Sequence, residues 1–104
     1  MKAWEIWTWE GHSVVLVSNQ SRIERKREVV VLKCQTLYPG DVPAGEFEAV
    51  LGPEDGLQRP TICTCDLFFT ARKSDISQKR GAVCYERQRD ISRKMIQGLA
   101  VAGL

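Results

Sequence analysis

The stretch Trp4-Glu5-Ile6-Trp7-Thr8-Trp9-Glu10-Gly11-His12-Ser13-Val14-Val15-Leu16-Val17 decides the fold. Residues 4–9 alternate large apolar with polar side chains and are rich in β-formers, the period-two pattern of a strand. Glu10-Gly11-His12 reads as a tight turn. Ser13 to Val17 is a continuous apolar run, the text of a buried strand paired back on the first. A hairpin therefore opens the chain.

Strand signals continue outward from it. Ser18-Asn19-Gln20-Ser21 breaks the run, and a third strand is expected over Glu28–Cys34, centred on Val29-Val30-Val31-Leu32. Tyr38-Pro39-Gly40-Asp41 and Pro43-Ala44-Gly45 read as a loop. Glu46–Leu51 alternates again and predicts a fourth strand, followed by a turn at Gly52-Pro53-Glu54-Asp55-Gly56. Thr61–Thr70 predicts a longer strand, and Gly81-Ala82-Val83 a last short one. From Glu86 the period changes. Ile91, Met95 and Leu99 recur every four residues, with Arg87, Arg89, Arg93 and Lys94 outside that row, which predicts an amphipathic helix over Glu86–Leu99. Cys84 stands at its cap position, where Ser or Asp serves better. The expected class is mainly β: a small antiparallel barrel or strongly curved sheet with a C-terminal helix, as a single domain over residues 1–104.

Composition agrees with that class. The chain has 104 residues, 43% of them apolar and 27% charged, with a net charge of +2. That length suits one domain with its own core. The charge is too well balanced for a disordered tail. No apolar run approaches the ~20 residues of a membrane helix, and no charged-then-apolar leader opens the sequence. The expectation is a cytoplasmic product without a membrane role. Cations are nevertheless clustered. Arg22, Arg25, Lys26 and Arg27 fall within six positions, Lys79 and Arg80 follow Gln78, and Arg87, Arg89, Arg93 and Lys94 sit near the end. Such runs form either a solvated face or a local surface for a polyanion.

The residues able to do chemistry are few. Cys63 and Cys65 are separated by one residue, whereas zinc knuckles place two to four between ligands. With Cys34 and Cys84 they read as reduced packing thiols, and no metal or cofactor is implied. His12, the only histidine, suits proton transfer near neutral pH or simply starts a strand. Asp66, set in an apolar strand, needs hydrogen-bond donors and reads first as structural. Three Trp in six residues either stack RNA bases or fill a barrel or dimer interface. No P-loop, Rossmann turn, metalloprotease signature or nucleophile elbow is present.

The order of segments resembles a known family. Trp4–Trp9 followed by His12–Asn19 is similar to the opening "G-[DE]-I-x-W-V-D … R-P-x-V-V-[LV]-S" of the MazF/PemK toxins. Asp55-Gly56-Leu57, Cys65-Asp66 and Arg80-Gly81-Ala82-Val83 fall where that family carries "D-G-L", "x-D-Q-[IV]" and "[KI]-G-x-[LV]". The resemblance spans almost the whole chain. It implies an SH3-like barrel with a C-terminal helix, a homodimer, a cognate antitoxin, and metal-independent cleavage of single-stranded RNA to a 2′,3′-cyclic phosphate and a 5′-hydroxyl.

By position, the family's catalytic Arg falls on His12 and its following Pro on Ser13. The family's Thr or Ser after the third strand falls on Gln35, with Thr36 beside it. The resemblance thus implies His12, Thr36 and Gln35 as catalytic residues, and Ser13, Ser18, Asn19, Arg22 and Arg25 as RNA contacts. Two departures stand out: His12 lacks the fixed charge and bidentate fork of Arg, and the loop after the first strand is only Glu10-Gly11. They leave open a second reading, a non-catalytic barrel that binds a protein (an antitoxin, or gyrase as some relatives do) or nucleic acid.

Overall fold

The structure, a computed structural model, describes residues 1–41 and 45–99. The elements in chain order are β1 (Glu5–Trp9), β2 (His12–Leu16), α1 (Gln20–Arg25), β3 (Glu28–Thr36), β4 (Glu48–Leu51), a 3₁₀ turn at Pro53–Asp55, β5 (Thr61–Arg72), a second 3₁₀ turn at Lys73–Asp75, β6 (Ile76–Ala82) and α2 (Tyr85–Leu99). The strands form one antiparallel sheet in the order β4-β5-β3-β2-β1-β6. The mainly β class and the C-terminal helix are as the sequence reads.

The opening hairpin is the expected one. Glu10 and Gly11 both take positive φ, 51° and 77°. That is the geometry a two-residue hairpin needs to match the strand twist. It pairs Trp9 with His12 and Ile6 with Val15. His12 therefore belongs to β2 and not to the turn.

Alternation along the strands builds two cores on opposite faces. Ile6, Val15, Leu32, Cys34, Ala49, Leu51, Cys63, Cys65 and Val83 form one, with Ile91 of α2 laid over it. Trp9, Val14, Leu16, Val29, Val31, Ala71 and Ile76 form the other, covered by Ile23 of α1. Both faces of the central strands are thus dry, which is why residues 14–16 read as a continuous apolar run. Ala49 and Leu51 of β4 share the first core with Ile6 of β1, four places away in the sheet. That is achieved only by curling the sheet around this core.

Several boundaries differ from the sequence reading. Residues 18–21 do not merely break the chain: Asn19 caps α1, its Oδ1 accepting the Arg22 N–H at 2.9 Å. Six residues are too few to show a helical period. β3 continues through Gln35 and Thr36, so both end a strand and do not begin a turn. β4 starts at Glu48, β5 runs on to Arg72, and β6 begins at Ile76, far before the expected 81–83. Asp66 is exposed and not buried. The β3–β5 register shifts between Leu32↔Phe68 and Cys34↔Cys63, and this bulge turns residues 66–67 outward. The helical row also fails at its end. Ile91 is buried, Met95 is partly so, and Leu99 is 57% exposed. A spacing of four overshoots the 3.6-residue turn by about 40° per step, so the row drifts off the core.

Asp55 joins the two edges of the curl. It is fully buried and sits in the turn after β4. Its Oδ2 accepts the Gly52 N–H and its Oδ1 the Cys84 N–H just past β6, both at 2.9 Å. Arg87 of α2 places Nε 2.9 Å from Oδ2. That N–H is not aligned on the oxygen, so the contact acts as charge attraction. Arg87 Nη1 donates to the Val50 carbonyl of β4. Gly81 completes the clasp, since a Cβ there would collide with the Asp55 carbonyl oxygen.

Asp55→Ala leaves a half-buried guanidinium and two backbone donors without their carboxylate, and should lower stability by about 3 kcal/mol. Gly81→Ala should lower it by about 1–3 kcal/mol through overpacking. Glu54, whose side chain is 64% exposed beside Arg87, is the control, since exposed pairs contribute about 1 kcal/mol or less. Urea unfolding of the three variants checks the ranking; an Asp55→Ala no weaker than Glu54→Ala would remove the clasp.

Candidate functional site

Where the curled sheet opens, an open cavity of about 350 Å³ lies between β2, the end of β3, the start of β5, β6 and the segment after the 3₁₀ turn. Its walls carry Ser13, Thr36, Thr61, Gln58, Arg59 and Arg80, with Gly56 and Leu57 as the apolar part. Two guanidiniums, three hydroxyls and a carboxamide converge there, and no carboxylate lines it among the described residues. Such a set favours an anion with several acceptor oxygens, such as a phosphodiester.

Local geometry explains why these side chains meet. Thr36 and Thr61 are register partners on β3 and β5. Ser13 pairs with Thr8 across the hairpin. Arg80 arrives through a bulge: the β1–β6 register shifts between Ile6↔Gly81 and Thr8↔Ser77, and Gln78 takes φ 47°. The extra residues turn Arg80 toward β1, where its Nε–H donates to Thr8 Oγ1 at 2.9 Å. Thr8 Oγ1 in turn donates to the Gln78 carbonyl at 3.2 Å. The Arg80 terminal nitrogens make no hydrogen bond among the described residues and remain for a ligand. Thr61 Oγ1 donates to the Arg59 carbonyl at 3.0 Å, bracing the second arginine's backbone.

Of the residues singled out from sequence, the cavity brings together Ser13 and Thr36. His12 and Gln35 precede them by one position and leave the opposite faces of their strands; neither lines the cavity. Ser18 is buried, its Oγ accepting the Val30 N–H at 2.7 Å. The Asn19 side chain is spent on capping α1. Arg22 is exposed on α1. Arg25 joins Lys26, Arg27, Arg72 and Lys73 around a separate depression of about 690 Å³, where Glu24 and Glu28 offset part of the charge. Arg59, Arg80, Gln58 and Thr61 were not singled out as site residues. Arg80 stood in a visible basic cluster, but Arg59 is a lone cation before a proline, with no local pattern to mark it.

The cysteines lie away from the cavity. Cys34, Cys63 and Cys65 are buried in the first core and unpaired, and Cys84 is half-buried. The neighbouring Cys34 thiol and burial push Cys63 well up, and Cys63 with burial does the same to Cys65. Cys63 and Cys65 are thereby held protonated and serve as packing groups.

The fold is shared with solved structures. An endoribonuclease from a mycobacterial species superposes with a TM-score of 0.83 at 17% identity, over 100% of this chain and 95% of its own. The Mycobacterium tuberculosis toxin MazF-mt6 gives 0.77 at 15% identity, over 94% and 96%. A MazE-MazF complex from Deinococcus radiodurans gives 0.76 at 10%, over 98% of both chains. At such identities the likeness establishes the fold, which is the MazF-like one. No family model and no curated protein sequence matches the chain.

One ion pair props up the bulge that aims Arg80. Lys79 Nζ lies 2.7 Å from Glu5 Oε2, and Glu5 Oε1 accepts the Lys2 N–H at 2.6 Å and the Trp7 indole N–H at 3.2 Å. Burial alone would raise the Glu5 carboxyl, but the hydrogen bonds from Lys79, Lys2 and Trp7 outweigh it and hold the group below its ordinary value of 4.5. A lowered carboxylate stabilises the fold above the unfolded-state value and loses that contribution as pH falls through the folded one. Stability should therefore decline below about pH 4.5, and Glu5→Gln should lose that contribution at pH 7, flatten the acid limb and converge with wild type near pH 3. Thermal midpoints from pH 7 down to 3 provide the check.

Proposed function

We propose that this chain is the toxin of a toxin–antitoxin pair: a cytoplasmic, homodimeric endoribonuclease that cuts single-stranded RNA without a metal ion and is neutralised by a cognate antitoxin. The observation that carries this reading is the carboxylate-free cavity holding Arg59, Arg80, Ser13, Thr36 and Thr61. It lies on a fold shared with proteins described as endoribonucleases and as the MazF of a MazE-MazF complex.

The chemistry follows from the residues. The 2′-hydroxyl loses its proton and its oxygen attacks the adjacent phosphorus. The P–O5′ bond breaks, and the departing 5′-oxygen takes up a proton, leaving a 2′,3′-cyclic phosphate. Negative charge grows on the phosphoryl oxygens in the transition state, where preorganised guanidiniums are worth most. Arg59 and Arg80 are assigned that role, and Thr36 and Ser13 orient the phosphate. Proton transfer is assigned to His12 on its position beside Ser13. Its side chain leaves the other face of β2, so the role requires substrate to pass the start of that strand; Gln35 stands likewise beside Thr36. Arg22 and Arg25 extend the cationic surface for flanking RNA.

A second reading has its own support. Among the described residues no histidine or carboxylate lines the cavity, which suits a barrel that binds RNA or a protein partner without cutting. For assembly, α2 exposes Tyr85, Ile96 and Leu99, at 72%, 67% and 57%, and Tyr85 and Ile96 share a hollow with Trp4, Arg89, Ser92 and Arg93. Burying these exposed apolar side chains against a second copy favours a dimer. Val101 and Leu104, the apolar tail that the sequence also offers for this, lie outside the described residues.

A mixed RNA pool incubated with purified protein and chelator should yield cyclic-phosphate and 5′-hydroxyl ends. Arg80→Ala should lower the rate by about 10²–10³-fold. His12→Ala should lower it by about 10²–10⁴-fold. An unchanged rate in His12→Ala takes proton transfer away from the histidine, and intact RNA with wild-type protein makes the non-catalytic barrel the better reading. Light scattering at tens of micromolar (about 10–100 μM, on the scale where micromolar affinity is about 8 kcal/mol) should report a dimer.

A further inference from the structure

Beside the cationic cavity lies a second cleft, of about 440 Å³ and predominantly apolar. Its walls are Leu37, Tyr38, Pro39 and Pro60, and it shares Thr36 and Arg59 with the cavity. Tyr38 is 58% exposed, an aromatic ring held at the surface by ordered backbone. The Tyr38 N–H donates to Asp41 Oδ2 at 2.7 Å, and its carbonyl accepts the Asp41 N–H at 3.0 Å. The preceding Leu37 N–H donates to the Pro60 carbonyl at 2.9 Å, tying this loop to the segment that carries Arg59. Tyr38 and Arg59 thus line one cleft, and the Leu37–Pro60 backbone link ties together the segments that carry them.

We infer that this cleft is a nucleobase subsite, in which Tyr38 stacks the base of the nucleotide whose phosphate occupies the Arg59–Arg80 cavity. The inference rests on the reading of that cavity as an RNA-backbone site and names what lies next to it. A phosphate and its base differ sharply in polarity, and so do the two adjoining cavities. The shared Arg59 can neutralise the phosphate while its planar group borders the base. Tyrosine and proline faces stack on any base, so Tyr38 supplies affinity with little preference. Thr36 and Arg59 are the hydrogen-bonding side chains next to the apolar walls, and discrimination between base edges falls to them.

The test compares binding of two uncleavable 2′-O-methylated octamers, one of randomised base sequence and one made wholly of abasic sugars, to wild type, Tyr38→Ala and Tyr38→Phe. Wild type should prefer the base-bearing chain. Tyr38→Ala should weaken that chain by roughly 5- to 150-fold, as expected for one lost base–aromatic stack. The same variant should bind the abasic chain like wild type, which also shows it is folded. Tyr38→Phe should behave as wild type with both. Wild type that binds both chains equally overturns the subsite and leaves the RNA-backbone reading standing. So does a Tyr38→Ala that matches wild type, or one that weakens both chains alike. Wild type that binds neither chain overturns the RNA reading, and the subsite with it.

Discussion

The buried carboxylate of Asp55 is the constraint on which the rest of the molecule depends. A six-stranded sheet with two free edges has no intrinsic reason to curl upon itself, and exposed edges invite pairing with other chains. Here the turn after one edge strand and Cys84, just past the other, donate to the same side chain, while Arg87 fixes α2 to that side chain and to β4. A charge removed from water is tolerable only when its oxygens are fully engaged, so the arrangement is close to all-or-none. It also fixes Gly56 and Leu57, which floor the cationic cavity, so fold closure and site formation share one anchor.

The site itself sits where the sheet is irregular. Regular pairing would send successive side chains to alternate faces and leave the cations scattered. The β6 bulge breaks that rule at one point, and Thr8 receives the redirected guanidinium. Gathering two like charges without a carboxylate between them works against stability, and stiff strands on both sides hold them in place. A pocket so arranged is unsatisfied until an anion arrives, which is how preorganised sites gain their effect.

The sequence made some of this plain and hid the rest for identifiable reasons. The hairpin was legible because alternation and a two-residue turn are local signals, and α2 because a period change is visible over a dozen residues. α1 was hidden by its shortness, and the early start of β6 by polar text, Ser77-Gln78-Lys79-Arg80, which carries no apolar alternation. Asp66 misled because a bulge is a property of the pair and not of the strand. Ser13 and Thr36, which line the cavity, were marked by resemblance. Arg59 was not, because its role comes from Thr61 and Pro60 holding its backbone against a strand far away in sequence. Asp55 was noticed as part of a short motif, but its burial and its three partners belong to tertiary structure.

The sheet order has a consequence for synthesis. Neighbouring strands β1, β2 and β3 pair locally, yet β6 must return to β1, joining Ala82 to Glu5. Such long-range closure is entropically the slowest kind to form. The cavity takes Ser13 from near the beginning of the chain and Arg80 from near its end. A chain emerging from the ribosome thus carries its first hairpin early but has no complete anion pocket until β6 is free to fold back. Under the RNA-cleaving reading proposed above, the cell that makes the chain is shielded from it for nearly the whole time of translation.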